Sequence, residues 1–450
     1  MNTPTLPPTV PGLPILGNAP AFIMSNGISV EFLQKIQQSH GDLVHFKALN
    51  QSFYLVSSAE LIREVLLERM QEVVKLDSET EGAPRGLRRF LGNGILTANY
   101  DDWRPQRKLI QPLLHTKQIA KYADTIGAMG ERMLAGWQDG ETRNIHADMT
   151  QVTLWVIADT MFGIDFQQST ELEQAGRMAQ KIVVDDLVNP LPGWLTGRDA
   201  KAERINTLLT QLVTQFLEEH RTHPNRERHD LLSVLLDTRD EDGKPLSDEL
   251  LRDNILTMFF AGHETTANTL SWALYYLAKN PAVLQALQAE VDVALADGHT
   301  PTLADLPRLP YTQMVLKETM RIQPTVAMIP RLVAKDITLG GYALKAGAVL
   351  LISPYVQHHN PQKWQTPTVF DPTRFSAESE ANIGKYDYLP FGAGPRICIG
   401  NHFAMMEGQI LLALVVRHYD LQLPVGSVVE PLRQITCEPE NGLAMLLHKR

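Results

Sequence analysis

The sequence predicts a mainly α fold with small β-sheets, and two observations carry that prediction. From about residue 103 to 277, apolar side chains recur with the 3.6-residue period of amphipathic helices. Strand patterns are short and most lie late in the chain, as at 337–339 and 349–353. Long periodic segments with few short strands are typical of a helix-rich body that carries a minor β-rich region.

The elements follow in chain order. Residues 1–20 are rich in proline, which fixes φ and removes a hydrogen-bond donor, so we expect an extended lead-in before a single domain over 21–450. Segments 43–46 and 53–56 indicate a hairpin. The longest helix is predicted for 247–279, where a serine is suited to cap the start and Pro281 follows the end. Further helices are predicted at 311–322 and 401–418, and late strands at 421–424 and 443–448.

Composition excludes several classes of protein. The formal net charge of -10 disfavours non-specific nucleic-acid binding, which needs clustered basic residues. Two cysteines in 450 residues do not make a disulfide framework, which favours a reducing compartment, and we predict the cytoplasm. No run of ~18 apolar residues occurs, so a soluble protein without a membrane anchor is expected.

The strongest local signal is a glycine-rich loop around Cys398, followed by a helical pattern from Asn401. A cysteine at a helix N-terminus is favoured as a thiolate, because free N–H groups and the helix dipole stabilise the negative charge. Such a thiolate can bind iron or attack a substrate. The alternative is that Cys398 is only a small buried apolar residue.

The residues around Cys398 resemble the haem-binding signature of the cytochrome P450 family: Phe391, Gly392, Gly394, Arg396, Cys398 and Gly400. The resemblance implies the triangular, helix-rich fold of that family and a bound haem b. It implies that Cys398 is the axial ligand of the haem iron, where a thiolate favours O–O cleavage. Phe391 would then belong to the haem site, and Arg396 would pair with a haem propionate.

The longest predicted helix contains Ala261-Gly-His-Glu-Thr-Thr266 between apolar flanks. A solvated polar turn is the simpler interpretation, but a charged residue inside an apolar helix needs a reason. The stretch resembles the oxygen-activation motif of the family. By that resemblance Ala261 lies beside the haem, Thr265 hydrogen-bonds dioxygen and Glu264 relays protons.

Three further motifs also resemble the family. Glu318 and Arg321, three residues apart on one helix face, would form a buried structural triad with Arg374, whereas an exposed pair is the commoner case. Trp103 and Arg107 match a helix that contacts a propionate, and Arg331 matches a strand position with the same role. Residue 373 is a threonine where the family often has glutamate, so one accessory charge is missing.

The resemblance implies a monooxygenase that inserts one oxygen atom of O2 into a hydrophobic small molecule, with a fatty acid or terpenoid as the expected substrate. No dinucleotide-binding fingerprint or cysteine-rich iron–sulfur motif follows, so electrons should come from a separate partner. The resemblance implies that this partner is a ferredoxin or flavodoxin with an NAD(P)H reductase. A basic docking patch for that partner is predicted among the following residues: Arg85, Arg88, Arg89, Arg104 and Lys108. A peroxide-driven peroxygenase and a haem-binding sensor remain the alternatives.

Overall fold

The structure, a computed structural model, describes residues 7–24, 27–76, 86–163, 166–188, 192–222, 230–239 and 243–450. Its α-helices are α1 (Ala19–Met24), α2 (Val30–His40), α3 (Ala59–Arg63), α4 (Arg88–Leu91), α5 (Tyr100–Ile110), α6 (Thr116–Ile119), α7 (Ala123–Leu134), α8 (Ile145–Ile157), α9 (Phe166–Val188), α10 (Gly193–Thr196), α11 (Arg198–Thr222), α12 (Leu231–Asp237), α13 (Asp248–Lys279), α14 (Pro281–Ala294), α15 (Pro310–Ile322), α16 (Pro354–His358), α17 (Ala377–Glu380) and α18 (Asn401–His418). Its strands are β1 (Leu43–Ala48), β2 (Gln51–Val56), β3 (Val73–Lys75), β4 (Thr142–Asn144), β5 (Ile329–Val333), β6 (Ile337–Leu339), β7 (Tyr342–Leu344), β8 (Val349–Ile352), β9 (Tyr419–Gln422), β10 (Pro431–Arg433), β11 (Cys437–Pro439) and β12 (Ala444–Lys449). Helices therefore dominate, as the sequence predicts.

Helix α13 forms the centre of the molecule and packs against α8, α11, α15 and α18. Its start is fixed locally, because the side chain of Ser247 accepts a hydrogen bond from the Leu250 N–H at 3.2 Å. Its end is fixed by Asn280, after which Pro281 opens α14. The prediction of one long helix at 247–279 is confirmed.

Helix α18 holds the longest apolar stretch of the C-terminal region, residues 410–416, and each of these seven side chains is fully buried. A helix that is apolar on all sides lies in a core, and α18 contacts α7, α14, α15 and α13. Among the described residues, no helix has both the length and the apolar character to cross a bilayer.

The largest sheet of the described residues has the strand order β1-β2-β8-β5-β3. The predicted hairpin is present, with β1 and β2 antiparallel around Leu49 and Asn50. The proline-rich lead-in bridges to this hairpin, since Thr9 pairs with His45 and Gly17 with Ala48. Strand β5 lies between β3 and β8, and this places Arg331 opposite both Lys75 and Leu350.

The short strands at the C-terminal end form separate sheets. The β9 and β12 strands pair with each other, and β12 also pairs with β4. The β10 and β11 strands form a hairpin that contacts α13 through β11. This hairpin was not predicted, and it is one of the elements that surround the candidate site.

Candidate active site

The cysteine loop is a tight turn that leads directly into α18. The Cys398 N–H donates to the Phe391 carbonyl at 2.9 Å, which closes the loop on itself. Gly394 has φ +71°, and a Cβ there would lie 2.4 Å from the Leu66 carbonyl oxygen, so only glycine fits. Gly400 then caps α18. The loop therefore presents Cys398 just before the helix N-terminus, where the sequence predicts it.

The Cys398 thiol is exposed within a densely packed loop. Desolvation by that packing raises the pKa of the Cys398 thiol, while the Gly400 N–H and the positive charge of Arg107 oppose the shift. Both opposing groups favour a thiolate over a thiol. Arg107 is held on this loop because its Nη1 donates to the Ile397 carbonyl at 2.7 Å.

The middle of α13 borders an open space although the helix lies in the core. Ala261 is exposed, whereas Phe259 and Ala267 are fully buried. The Thr265 hydroxyl donates to the Ala261 carbonyl at 2.8 Å, and the helix is uninterrupted at this point. Ala261 and Thr265 thus lie on the same face of α13, which borders this space and which we call the active face.

Glu264 is half-buried and is held by side chains that the sequence did not indicate. Its two carboxylate oxygens accept hydrogen bonds from Gln180 of α9 and from Thr436 in the turn between β10 and β11. Neither residue belongs to a recognisable motif, and each lies far from Glu264 in sequence. The neighbouring His263 is buried, and its ring Nδ1 lies 2.8 Å from the Phe259 carbonyl, one turn earlier in the same helix.

Two arginines, the buried Arg331 and the half-buried Arg396, line one cavity together with Tyr100. Burial lowers the pKa of each to about 10, and for Arg331 the charge of Arg396 adds to the effect. Arg396 stacks over the Trp103 ring at 4.7 Å and donates to the Ala98 carbonyl at 2.9 Å, but its buried Nη1 has no hydrogen-bond partner. Tyr100 is a further residue that the sequence did not single out.

Within the described residues, no carboxylate forms an ion pair with Arg331 or Arg396. Buried cations without counterions are costly, so the cavity is suited to a ligand that brings carboxylates. Haem brings two propionates, and a thiol on a glycine-rich loop is a suitable iron ligand. The residues present therefore fit haem, with Trp103 and Arg107 on the same side.

Glu318, Arg321 and Arg374 do come together. Arg321 donates to both carboxylate oxygens of Glu318, at 2.7 and 2.8 Å, and neither side chain is exposed to solvent. Arg374 Nε lies 3.4 Å from Glu318 Oε1. Burial raises the pKa of Glu318 while Arg321 opposes the shift. This arrangement joins α15 to the segment before α17 and makes no contact with the cysteine.

The predicted docking patch is only partly available. Arg89 is engaged by Asp186 at 3.3 Å and by Asp199 at 2.6 Å, so it ties α4 to α9 and α11 and is not a free basic side chain. Arg85 lies outside the described residues. Arg104 and Lys108 are exposed on α5, the helix that carries Trp103 and Arg107. Arg88, the remaining residue of the predicted patch, is half-buried on α4. The exposed basic residues of the patch within the described part of the chain are therefore Arg104 and Lys108.

Comparisons with known proteins match nearly the whole chain to one protein family. The model of the family named Cytochrome P450 matches residues 7–445. Cyclooctatin synthase from Streptomyces melanosporofaciens is 32% identical over 94% of this chain and 92% of that protein. Pentalenene oxygenase from Streptomyces avermitilis is 29% identical over 98% of this chain and 97% of that protein.

The fold is also similar to a solved structure described as the crystal structure of cytochrome P450DA heme domain. The TM-score is 0.88 at 25% sequence identity, and the match covers 100% of this chain and 99% of that one. The helix-rich architecture and the small separate sheets are therefore shared with that structure.

Proposed function

The chain belongs to the cytochrome P450 family and is a haem b monooxygenase, and from this premise we propose that Cys398 is the iron ligand and that a cyclic terpenoid is the substrate. The single observation that carries the ligand assignment is the loop that exposes Cys398 beside the N-terminus of α18. The Gly400 N–H and Arg107 both favour the thiolate.

When bound, haem supplies the activation of O2 and the transfer of one oxygen atom. Arg331 and Arg396 would hold its carboxylates and would thereby gain counterions that no described carboxylate side chain provides. Trp103 stacks against Arg396 and fixes the guanidinium plane, and Arg107 anchors the cysteine loop from the same helix. Phe391 closes that loop through its carbonyl.

Glu264 and Thr265 handle protons. The carboxylate of Glu264 takes up a proton and passes it towards Oγ1 of Thr265. The Thr265 hydroxyl, whose present acceptor is the Ala261 carbonyl, would then donate its proton into the space that the two residues border. The methyl side chain of Ala261 leaves room for a ligand on this face of α13.

The proposal of a terpenoid rests on the relatives and on the apolar segment 325–329. Cyclooctat-9-en-7-ol 5-monooxygenase from Streptomyces melanosporofaciens is 32% identical over 94% of this chain, and its name states a terpenoid alcohol as substrate. The Thr325 hydroxyl lies 3.0 Å from that of Thr269, one turn after Thr265, which brings segment 325–329 to the active face. That segment carries no charged side chain to pair with a fatty-acid carboxylate.

Electrons are proposed to come from an acidic ferredoxin or flavodoxin with its NAD(P)H reductase, docked on Arg104 and Lys108. Charge reversal of both residues should slow reduction at low salt and leave substrate binding unchanged. Unchanged reduction kinetics would exclude this surface as the docking site.

The experiment that tests the function starts with the reduced, haem-loaded protein under carbon monoxide. A red-shifted Soret band is expected, and Cys398→Ala should lose it while Cys437→Ala, which changes the other cysteine, should keep it. A panel of cyclic terpenoids and fatty acids is then titrated for spin-state shifts and turned over with a surrogate redox chain. Turnover of fatty acids alone would reject the proposed substrate, and turnover with peroxide alone would favour a peroxygenase.

A further inference from the structure

The carboxylate of Glu264 is held by two neutral donors from two different elements. Gln180 Nε2 of α9 donates to Oε2, and Thr436 Oγ1 of the β10–β11 turn donates to Oε1. Each oxygen therefore has its own partner. All three side chains are half-buried, so water competes only partly for these hydrogen bonds.

A close approach between α9 and α13 makes the contact from Gln180 possible. A Cβ at Gly176 would lie 1.9 Å from the Phe260 ring, so the two helices are nearer here than any side chain at 176 would allow. Gly176 and Phe260 each lie one turn before the residues that meet, Gln180 and Glu264. The missing side chain at Gly176 therefore places the Gln180 amide within reach of the carboxylate.

Thr436 is held in place by its neighbour Cys437. The Cys437 N–H donates to the Thr325 carbonyl at 2.8 Å, and its carbonyl accepts from Trp272 Nε1 of α13 at 3.0 Å. Its buried Sγ also accepts from Gln323 Nε2 at 2.8 Å. The β10–β11 turn is thus fixed both to α13 and to the segment before β5.

The same segment is linked back to the active face of α13. Thr325 and Thr269 share a hydroxyl hydrogen bond of 3.0 Å, and the Thr269 hydroxyl donates to the Thr265 carbonyl at 3.0 Å. The turn that carries Thr436 and the helix that carries Thr265 therefore form one connected polar assembly.

We propose that Gln180 and Thr436 are positioning residues that hold the Glu264 carboxylate for proton delivery to Thr265. The inference rests on the role proposed above for Glu264. A glutamate side chain has several rotatable bonds, and proton transfer needs an acid held within hydrogen-bond reach. Two donors on two separate elements fix both oxygens, whereas a free carboxylate would turn towards water.

The test compares haem-loaded Gln180→Leu, Thr436→Val and the double variant with the unchanged protein. Leucine and valine keep the approximate volume and remove the donor. The double variant should lower product formed per NAD(P)H on the order of tenfold, a part of the ~100- to 10,000-fold that general acid–base groups contribute. It should also raise the kinetic solvent isotope effect, which a purely structural role would not change.

Controls separate folding from positioning. Gln174→Leu changes an exposed glutamine of the same helix and should leave coupling unchanged. Thr436→Ser keeps the hydroxyl and should restore coupling, and the Soret band under carbon monoxide reports the intact haem site in every variant. If Gln180→Leu fails to load haem, Gln180→Asn shortens the donor without adding an apolar side chain and should give the same loss.

The outcomes distinguish the two proposals through Glu264→Gln. If Glu264→Gln lowers coupling while the double variant matches the unchanged protein in coupling and isotope effect, the positioning role is refuted and the role of Glu264 stands. If Glu264→Gln itself leaves coupling unchanged, proton delivery runs elsewhere and both proposals fall.

Discussion

The buried ion triad gives the sharpest prediction of stability. Glu318→Gln keeps the shape of the side chain and removes the negative charge between Arg321 and Arg374. Glu318 also accepts from the Asp371 N–H at 2.9 Å, so the substitution disturbs the segment that carries Arg374 as well. Because Arg321 stays fully buried and the side chain of Arg374 is only 13% exposed, the loss strands positive charge in the core.

Stranding a buried charge costs about 3–5 kcal/mol. At about 2.1 cal/mol/K of unfolding entropy per residue, that loss lowers the Tm of a 450-residue chain by about 3–5 °C. Removing Arg321 as well would not restore the full stability, since its Nη1 also donates to the carbonyls of His358 and Pro367 at 2.9 and 2.8 Å. Those acceptors would be left without a partner.

A neighbouring pair provides the matched control. Lys317, also on α15, pairs with Glu380 at 2.7 Å, and the side chain of Glu380 is 41% exposed. Glu380→Gln should therefore cost only about 0–1 kcal/mol. Thermal unfolding of the haem-loaded variants, followed by circular dichroism, measures both. Equal shifts in Tm for Glu318→Gln and Glu380→Gln would refute the argument from burial.

The other predictions concern the haem site. Thr265→Ala should release peroxide and lower product per reductant on the order of tenfold, measured by product, peroxide and NAD(P)H together; unchanged coupling would remove Thr265 from proton delivery. Arg331→Leu should stabilise the haem-free protein against urea, because it removes a buried cation that has no counterion. The same variant should lose haem to a haem-scavenging protein about 10- to 100-fold faster. Slower haem loss would contradict the proposal that Arg331 binds a haem carboxylate. Gly394→Ala should prevent haem loading, because the added Cβ would clash with the Leu66 carbonyl. Gly140→Ala is the control, since Gly140 has φ +78° but open space where the Cβ would lie. It should lower the free energy of unfolding by only about 1–2 kcal/mol and load haem normally.

Local signals in the sequence determined the elements that present the chemistry. Ser247 and Pro281 fixed the ends of α13, and the glycines around Cys398 fixed the loop before α18, because caps, stops and positive φ depend on adjacent residues. The hairpin of β1 and β2 was also predicted, because its two strands are adjacent in the sequence. The three-residue strands β3 and β11 are too short to show a period and were missed, whereas β6, of the same length, was predicted at 337–339.

Only the tertiary structure decided which distant side chains meet. Arg107 and Ile397 are 290 residues apart, and Thr436 and Glu264 are 172 apart, so no periodicity links them. Arg89 also meets residues that are distant in sequence, since it forms ion pairs with Asp186 and Asp199 inside the fold. Sequence patterns report what a residue and its neighbours favour, whereas a buried contact depends on how whole elements pack, and packing is a property of the complete chain.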